Sequence, residues 1–353
     1  MTPSRSGLDI LRALAPGTPL RNGIDLILRQ ETGALIVLGY GRDIEALCTG
    51  GFHLDGADFH PARLAELAKM DGAVITDEAT EIIYRANVHL IPDPSIDTEE
   101  TGTRHRTGER VAKETGRAVV VVSEGRQTIT VYTGESTYEL RNPTTLLAQA
   151  NQNLLTLERF RDRLTDEESR LTQLEVDDIV VYRDVVQFLQ RAALVQLIGE
   201  DLEYYTVELG GEGQLIRLQL VDLLAGTSEL AELVYADHAR SYPPDTTNPL
   251  DLVLTLTAEH LSEESRVATL LDFGPLEHPT RSRGYRILDR IPRLPDAVQD
   301  SLVVHFGTLQ ELLYASVSAL DEVEGFGRSR ARQLRHYLDR LLYTTRSWAI
   351  DEE

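Results

Sequence analysis

The stretch Pro61-Ala-Arg-Leu-Ala-Glu-Leu-Ala-Lys-Met-Asp-Gly-Ala-Val-Ile-Thr76 changes period halfway along, and that change decides the fold class of the first part of the chain. Leu64, Leu67 and Ala68 recur at helical steps behind a proline, which suits the first turn of a helix. Asp71-Gly72 then breaks the pattern, and Val74-Ile75-Thr76 has the β-branched character of a buried strand. The alternation extends both ways. Ile24, Leu26, Ile27 and Leu28 predict a helix ending near Thr32-Gly33, and Ala34–Leu38 a buried strand. Glu81–Leu90 reads as a strand, Ile91–Thr103 as a polar loop containing proline, and Thr107–Thr115 as a helix ended by Gly116. Ala118–Ser123 and Thr128–Tyr132 complete the strands. Residues 1–142 therefore predict an α/β domain with a mixed, covered sheet.

After Asn142-Pro143 the composition changes. Leu146, Leu147, Ala150, Leu154, Leu157 and Phe160 fall at helical spacing, and segments 180–205, 215–224, 228–238, 250–260 and 263–271 continue in that style. Gly210-Gly211 and Pro243-Pro244 punctuate them. Residues 143–284 predict an all-α helical spine, a scaffold or oligomerisation surface without a chemical site. A third domain of short helices follows at 285–353. Three domains suit 353 residues, which exceed what one core usually organises.

The chain carries a net charge of −22, which discourages contact with a phosphate backbone. Residues 281–346, however, hold eleven arginines against eight acidic residues, a small basic module on an acidic body. No apolar run approaches membrane-spanning length, and Arg5, Asp9, Arg12, Arg21, Asp25 and Arg29 are foreign to a secretory leader. Cys48 is the only cysteine, so there is neither a disulfide framework nor a thiolate zinc site. The expectation is a cytoplasmic protein with no membrane partner.

Two segments concentrate the chemistry. Asp71-Gly72-Ala73 sets a carboxylate at a helix-to-strand junction, followed by residues small enough to let a ligand touch the backbone. Gly102-Thr103-Arg104-His105-Arg106-Thr107 puts two guanidiniums around an imidazole at a helix start, where fork donors, free amides and the helix dipole suit a polyphosphate. A carboxylate facing such a cradle can hold a divalent metal or orient an attacking hydroxyl. Taken singly, the first is more often a turn and the second a solvated surface. Neither a P-loop nor a Rossmann glycine motif is present, and His53, His60 and His89 lack metal-ligand spacing.

Read together, Leu64–Ala73, Thr103–Thr107 and Val119-Val-Val-Val-Ser-Glu124 resemble the diadenylate cyclase family, with its DGA and RHR motifs in order and at fitting separation. With the helical middle and the C-terminal module, the resemblance to the DNA integrity scanning (DisA) branch covers essentially the whole chain. It implies synthesis of cyclic di-AMP from two ATP with release of two pyrophosphates, assisted by Mg2+ or Mn2+, between cyclase domains meeting face to face in a homo-octamer. By position, Asp71 would lie near the 3′-hydroxyl and the metal, as metal ligand or activator of the nucleophile. Gly72 and Leu90 would contact the nucleotide, and Thr103, Arg104, His105, Arg106 and Thr107 would grip the phosphates, with Asp71, Arg104, His105 and Arg106 as catalytic residues. Ser123 and Glu124 match more loosely.

Leu320–Leu334 fits a helix-hairpin-helix pattern: apolar anchors, the Gly325-Phe326-Gly327 hairpin, then Ala331 and Leu334 packing the second helix. Phe326 stands where that pattern more often has Ile or Val. The amides of Gly325 and Gly327, with Arg328, Arg332 and Arg335, form a candidate DNA-binding face that meets phosphates without reading sequence. The family resemblance links such a face to branched or damaged DNA and to a nucleoid-associated location. A protein-interaction hairpin is the other reading of this module. A DNA-scanning or structural protein that binds ATP without turning it over is the alternative for the whole chain.

Overall fold

All five residues of Ala34–Leu38 are buried, and the strand's two sides face different cores. The structure, a computed structural model, describes residues 5–134, 136–241 and 248–348; Pro243-Pro244 and the last five residues of the chain lie outside them. The chain divides into two compact units, Met1–Gln152 with Leu202–Leu218, and Asn153–Asp201 with Gln219–Glu353. The first contains α1 (Arg5–Ala13), α2 (Pro19–Arg29), β1 (Ala34–Leu38), α3 (Arg42–Leu47), β2 (Cys48–Thr49), β3 (Phe52–Asp58), α4 (Pro61–Leu67), β4 (Ala73–Thr76), β5 (Ile82–Leu90), α5 (Thr103–Thr115), β6 (Ala118–Val122), β7 (Ile129–Tyr132) and β8 (Thr137–Leu140). The sheet runs β2-β5-β4-β1-β6-β7-β8, with β3 also on β5. Among the described residues only β1 and β4 pair in parallel and the other strand pairings are antiparallel, so the sheet is mixed.

Strand alternation sorts the core into two layers. Ala34, Ile36, Leu38, Val74, Val120 and Val122 face Leu20, Ile24, Ile27 and Leu64 of α2 and α4. Leu35, Val37, Ile75, Val119, Val121 and Tyr132 face Ile44 and Leu47 of α3 and Val111 and Ala112 of α5. Burial of both faces explains why these strands read as continuous apolar runs. α5 lies close to the sheet because residue 108 is glycine: a Cβ there would fall 2.7 Å from Val121 Cγ2. The helix starts at Thr103, four residues before the Thr107 expected. Its N-cap is Gly102, which carries no side chain to announce a start, and Arg106 N–H donates to the Gly102 carbonyl at 2.9 Å. The Arg-His-Arg triplet is thus first-turn helix rather than loop.

The remaining helices are α6 (Pro143–Val176), α7 (Tyr182–Leu209), a 3-10 turn at Gly210–Gly213, α8 (Gln214–Leu224), α9 (Thr227–His238), α10 (Pro249–Val253), α11 (Ala258–Leu261), α12 (Glu264–Leu270), α13 (Tyr285–Asp289), α14 (Asp296–Phe306), α15 (Leu309–Leu313), α16 (Val317–Asp321) and α17 (Arg328–Trp348). The helix expected over 250–260 is two, because Thr257 leaves helical geometry and its hydroxyl caps α11 through His260 N–H. Inside the second unit a charged cluster is fully buried. Arg286 donates to Thr172 Oγ1 at 2.8 Å and pairs with Glu175, and His238 Nε2 lies 2.9 Å from the other Glu175 oxygen. Burial opposes the Glu175 charge, yet Arg286 and His238 hold its carboxyl below the usual range. Asp237 accepts the main-chain N–H groups of Gly284, Tyr285 and Arg286. This ties the start of α13 to α6 and α9.

Two stability outcomes follow. Gly108→Val should cost about 1–3 kcal/mol through overpacking against Val121, read by urea unfolding; an unchanged midpoint would mean that α5 has slack. Glu175→Ala should cost about 3–5 kcal/mol, because it strands the Arg286 guanidinium without its partner. A loss below about 1 kcal/mol would show that Thr172 and Glu168 suffice.

Candidate active site

Register alone gathers the chemistry at one edge of the sheet. Leu35 pairs in parallel with Ala73, while Ala34 sits opposite Val122 and Ala73 opposite Val88 in antiparallel. The residues just before β1 and β4 and at the ends of β5 and β6 therefore converge: Gly33, Asp71-Gly72, Leu90 and Ser123-Glu124. The first turn of α5 reaches the same edge, where Arg104 Nη2 donates to Asp71 Oδ1 at 2.9 Å. A Cβ on Gly33 would lie 2.3 Å from Arg104 Nη1 and 3.2 Å from the Val122 carbonyl. Gly33 thus leaves the space the guanidinium occupies. The sequence reading took it only as the end of a helix.

Two expected ligand contacts acquire internal explanations. The smallness of Gly72 is used by the protein itself, since a Cβ would fall 2.4 Å from the Asn87 carbonyl carbon, where β5 bulges with Asn87 at φ 53°. Leu90 is 5% exposed, packs in the α3–α5 core and pairs with Cys48, so its side chain stands behind the site. The side chains that do project are different ones. Asp71 is 94% exposed despite its pairing, Arg104 is 39% exposed, and Thr103 and Arg106 are exposed on the first turn. Thr107 is half-buried one turn on. No side chain caps α5, which leaves its first amides and the positive end of its dipole for an anion.

His105 is held from behind. Its Nδ1 lies 2.8 Å from the Tyr132 hydroxyl, which donates to Glu100 Oε1 at 2.7 Å. Burial, and then the Glu100 carboxylate, raise the Tyr132 pKa, so the hydroxyl keeps its proton. The 91–102 loop carrying Glu100 is strapped along α5: Arg110 Nε donates to the Ile96 carbonyl and Lys113 Nζ to the Asp97 carbonyl, each at 2.9 Å. Thr98 donates to Glu109, and Glu114 accepts from Asp93 N–H. Tyr132 and Glu100 escaped the sequence reading; one looked like strand core and the other like loop surface.

In the second unit, α16 and α17 form a hairpin whose turn holds Gly325 at φ 80° and Gly327 at φ 67°, left-handed values that favour glycine. Phe326 is buried between them and packs with Leu320, Val323, Ala331, Leu334 and Leu338. Arg328 and Arg332 are exposed. Arg335 is not available in the same way. Its guanidinium donates to the carbonyls of Leu313 and Ala315 at 2.7 and 3.0 Å and to Asp339 at 2.8 Å, closing the C-terminal end of α15. Among the described residues no group of three His, Cys, Asp or Glu could hold a metal, and no helix is long and apolar enough to cross a membrane.

Comparisons with known proteins show the family. Residues 21–137 match the model described as DisA bacterial checkpoint controller nucleotide-binding, and residues 140–278 the one described as DisA bacterial checkpoint controller linker region. A crystal structure of DacA from Staphylococcus aureus covers 39% of this chain and 91% of its own at 21% identity, with a TM-score of 0.29, too weak a likeness to argue from. The DNA integrity scanning protein DisA of Symbiobacterium thermophilum is 47% identical over 340 residues, covering 96% of each chain. That of Acidothermus cellulolyticus is 46% identical over 338 residues, 94% of this chain and 92% of its own. With such identity over almost the whole chain, the chain belongs to the DisA family of DNA integrity scanning proteins.

Proposed function

We propose that this chain condenses two ATP into cyclic di-AMP with release of two pyrophosphates, and that it binds branched or damaged DNA without sequence preference. The observation that carries the cyclase reading is the Arg104–Asp71 pair beside the uncapped first turn of α5. An exposed ion pair of this kind is worth little. A triphosphate can therefore take over the Arg104 guanidinium by forked, charge-assisted bonds and release Asp71. Arg106, the first-turn amides and the hydroxyls of Thr103 and Thr107 complete the cradle. Ser123 and Glu124, on the same edge, are second-rank contacts.

The rest is positioning. Each 3′-oxygen must attack the α-phosphorus of the other nucleotide in line with departing pyrophosphate. One cradle holds one ATP, so two subunits must face each other, and the proposed assembly is an even-numbered homo-oligomer, an octamer in the family. Asp71 would orient the attacking hydroxyl. A divalent cation fits as well: Mg2+ and Mn2+ accept one or two carboxylates together with substrate phosphates, and Asp71 keeps an exposed oxygen. Bound there, the ion would neutralise charge on the phosphates.

DNA binding is assigned to the α16–α17 hairpin, through the Gly325 and Gly327 amides and the exposed Arg328 and Arg332. Arg335 braces the module instead. A position on the nucleoid would follow from this face.

Incubation with ATP and Mg2+ or Mn2+, followed by chromatography, tests the reaction: cyclic di-AMP supports it, and bound but unreacted ATP supports a non-catalytic scanning protein. Asp71→Asn should lower turnover by roughly 10²-fold while the melting temperature stays within about 3 °C. Near-normal turnover would remove Asp71 from the chemistry. Arg328→Ala with Arg332→Ala should weaken DNA binding for unrelated sequences alike and flatten its salt dependence by about 1–2 in log–log slope; unchanged titrations at several salt concentrations would move the DNA site elsewhere.

A further inference from the structure

We infer that Tyr132 and Glu100 are positioning residues for catalysis, fixing the ring of His105 and the nitrogen on which it carries its proton; the inference rests on the cyclase reading above. The chain of contacts is directional. A carboxylate can only accept, so the single Tyr132 hydroxyl proton goes to Glu100 Oε1 at 2.7 Å. The Tyr132 hydroxyl oxygen, 2.8 Å from His105 Nδ1, must then be the acceptor, and Nδ1 must bear hydrogen. Nε2 is left as the ring nitrogen for a ligand. Its neighbour Cδ2 lies 3.6 Å from where a Gly102 Cβ would sit, so that edge of the ring borders the uncapped helix start.

The relay is built to resist movement. The Tyr132 side chain is fully buried in the α5-facing core, and its ring meets the imidazole edge-on with centroids 6.1 Å apart. Glu100 is fixed by its own loop, since its N–H donates to Thr98 Oγ1 at 3.1 Å and Thr98 donates to Glu109 on α5. Four side chains of α5 strap that loop down, so the loop and the helix start form one body. Arg104 reaches Asp71 by a flexible stem, whereas His105 has two torsions and depends on what stands behind it. Positioning of this kind acts on the bound nucleotide, so it should appear in kcat more than in KM.

The test is a double-mutant cycle on the full-length protein, following cyclic di-AMP formation from ATP. Tyr132→Phe, which keeps the buried ring, should lower kcat about 10-fold and change KM for ATP less than about twofold. In a His105→Gln background the same change should cost nothing further. Glu100→Gln, which retains an acceptor oxygen, should keep most of the activity that Glu100→Ala loses. Equal losses in both backgrounds, or none in either, would overturn the inference while leaving the cyclase reading intact. No product from the unaltered protein would end that reading and the inference with it. Histidine-selective 15N NMR of the nucleotide-free protein reads the relay without turnover: the proton should sit on His105 Nδ1, and a population on Nε2 alone would contradict the inference.

Discussion

The close seating of α5 on the sheet is the contact on which the site depends. Gly108 lets the helix approach Val121, Leu35 and Tyr132 to within side-chain contact, and Val111 and Ala112 continue that interface into the core. The helix is thereby fixed in height and rotation. Its uncapped start lands where β1 and β4 begin and β6 ends, the edge that parallel pairing of Leu35 with Ala73 had already brought together. Arg104 meets Asp71, and His105 meets Tyr132, because one helix can present only so many residues in its first turn. The strapped loop adds polar contacts along the outer face, but the apolar seat sets the geometry.

The second unit solves a different problem with the same economy. Its basic residues would repel one another if left together, so several are committed inward. Arg286 is 1% exposed, with its two terminal nitrogens donating to Thr172 and Glu175, and Arg335 closes the end of α15. Arg328 and Arg332, two of the arginines that remain exposed at the hairpin, adjoin a turn with two left-handed glycines and a buried Phe326 plug. A surface that offers amides and guanidiniums on rigid helices suits a phosphate backbone.

Much of this was legible from residues. Ala34–Leu38 and Ala118–Val122 declared themselves because strands buried on both faces have no polar alternation to confuse them. The Asp71 and Arg104 segments each concentrate polar groups beside a structural break, but it was the resemblance to the diadenylate cyclase motifs that joined them. The start of α5 was not legible, because a glycine N-cap gives no hydroxyl or carboxylate signal, and the helix was expected only from Thr107. Gly33 and Gly108 matter for what a Cβ would strike, which only coordinates display. Short strands such as β2 and β8 draw stability from neighbours rather than from their own composition. Arg335 looked like one more surface cation because its carbonyl partners lie twenty or more residues away.

The proposed reaction requires this sheet edge, with the first turn of α5, to hold ATP. A crystal structure of the full-length protein with a non-hydrolysable ATP analogue and Mg2+ or Mn2+ would test it most directly. The triphosphate should lie on the α5 amides, with Arg104 and Arg106 on its oxygens, Asp71 freed from Arg104, and the nucleotides of two subunits facing each other. A nucleotide seated on another surface, with the Arg104–Asp71 pair unbroken, would contradict it.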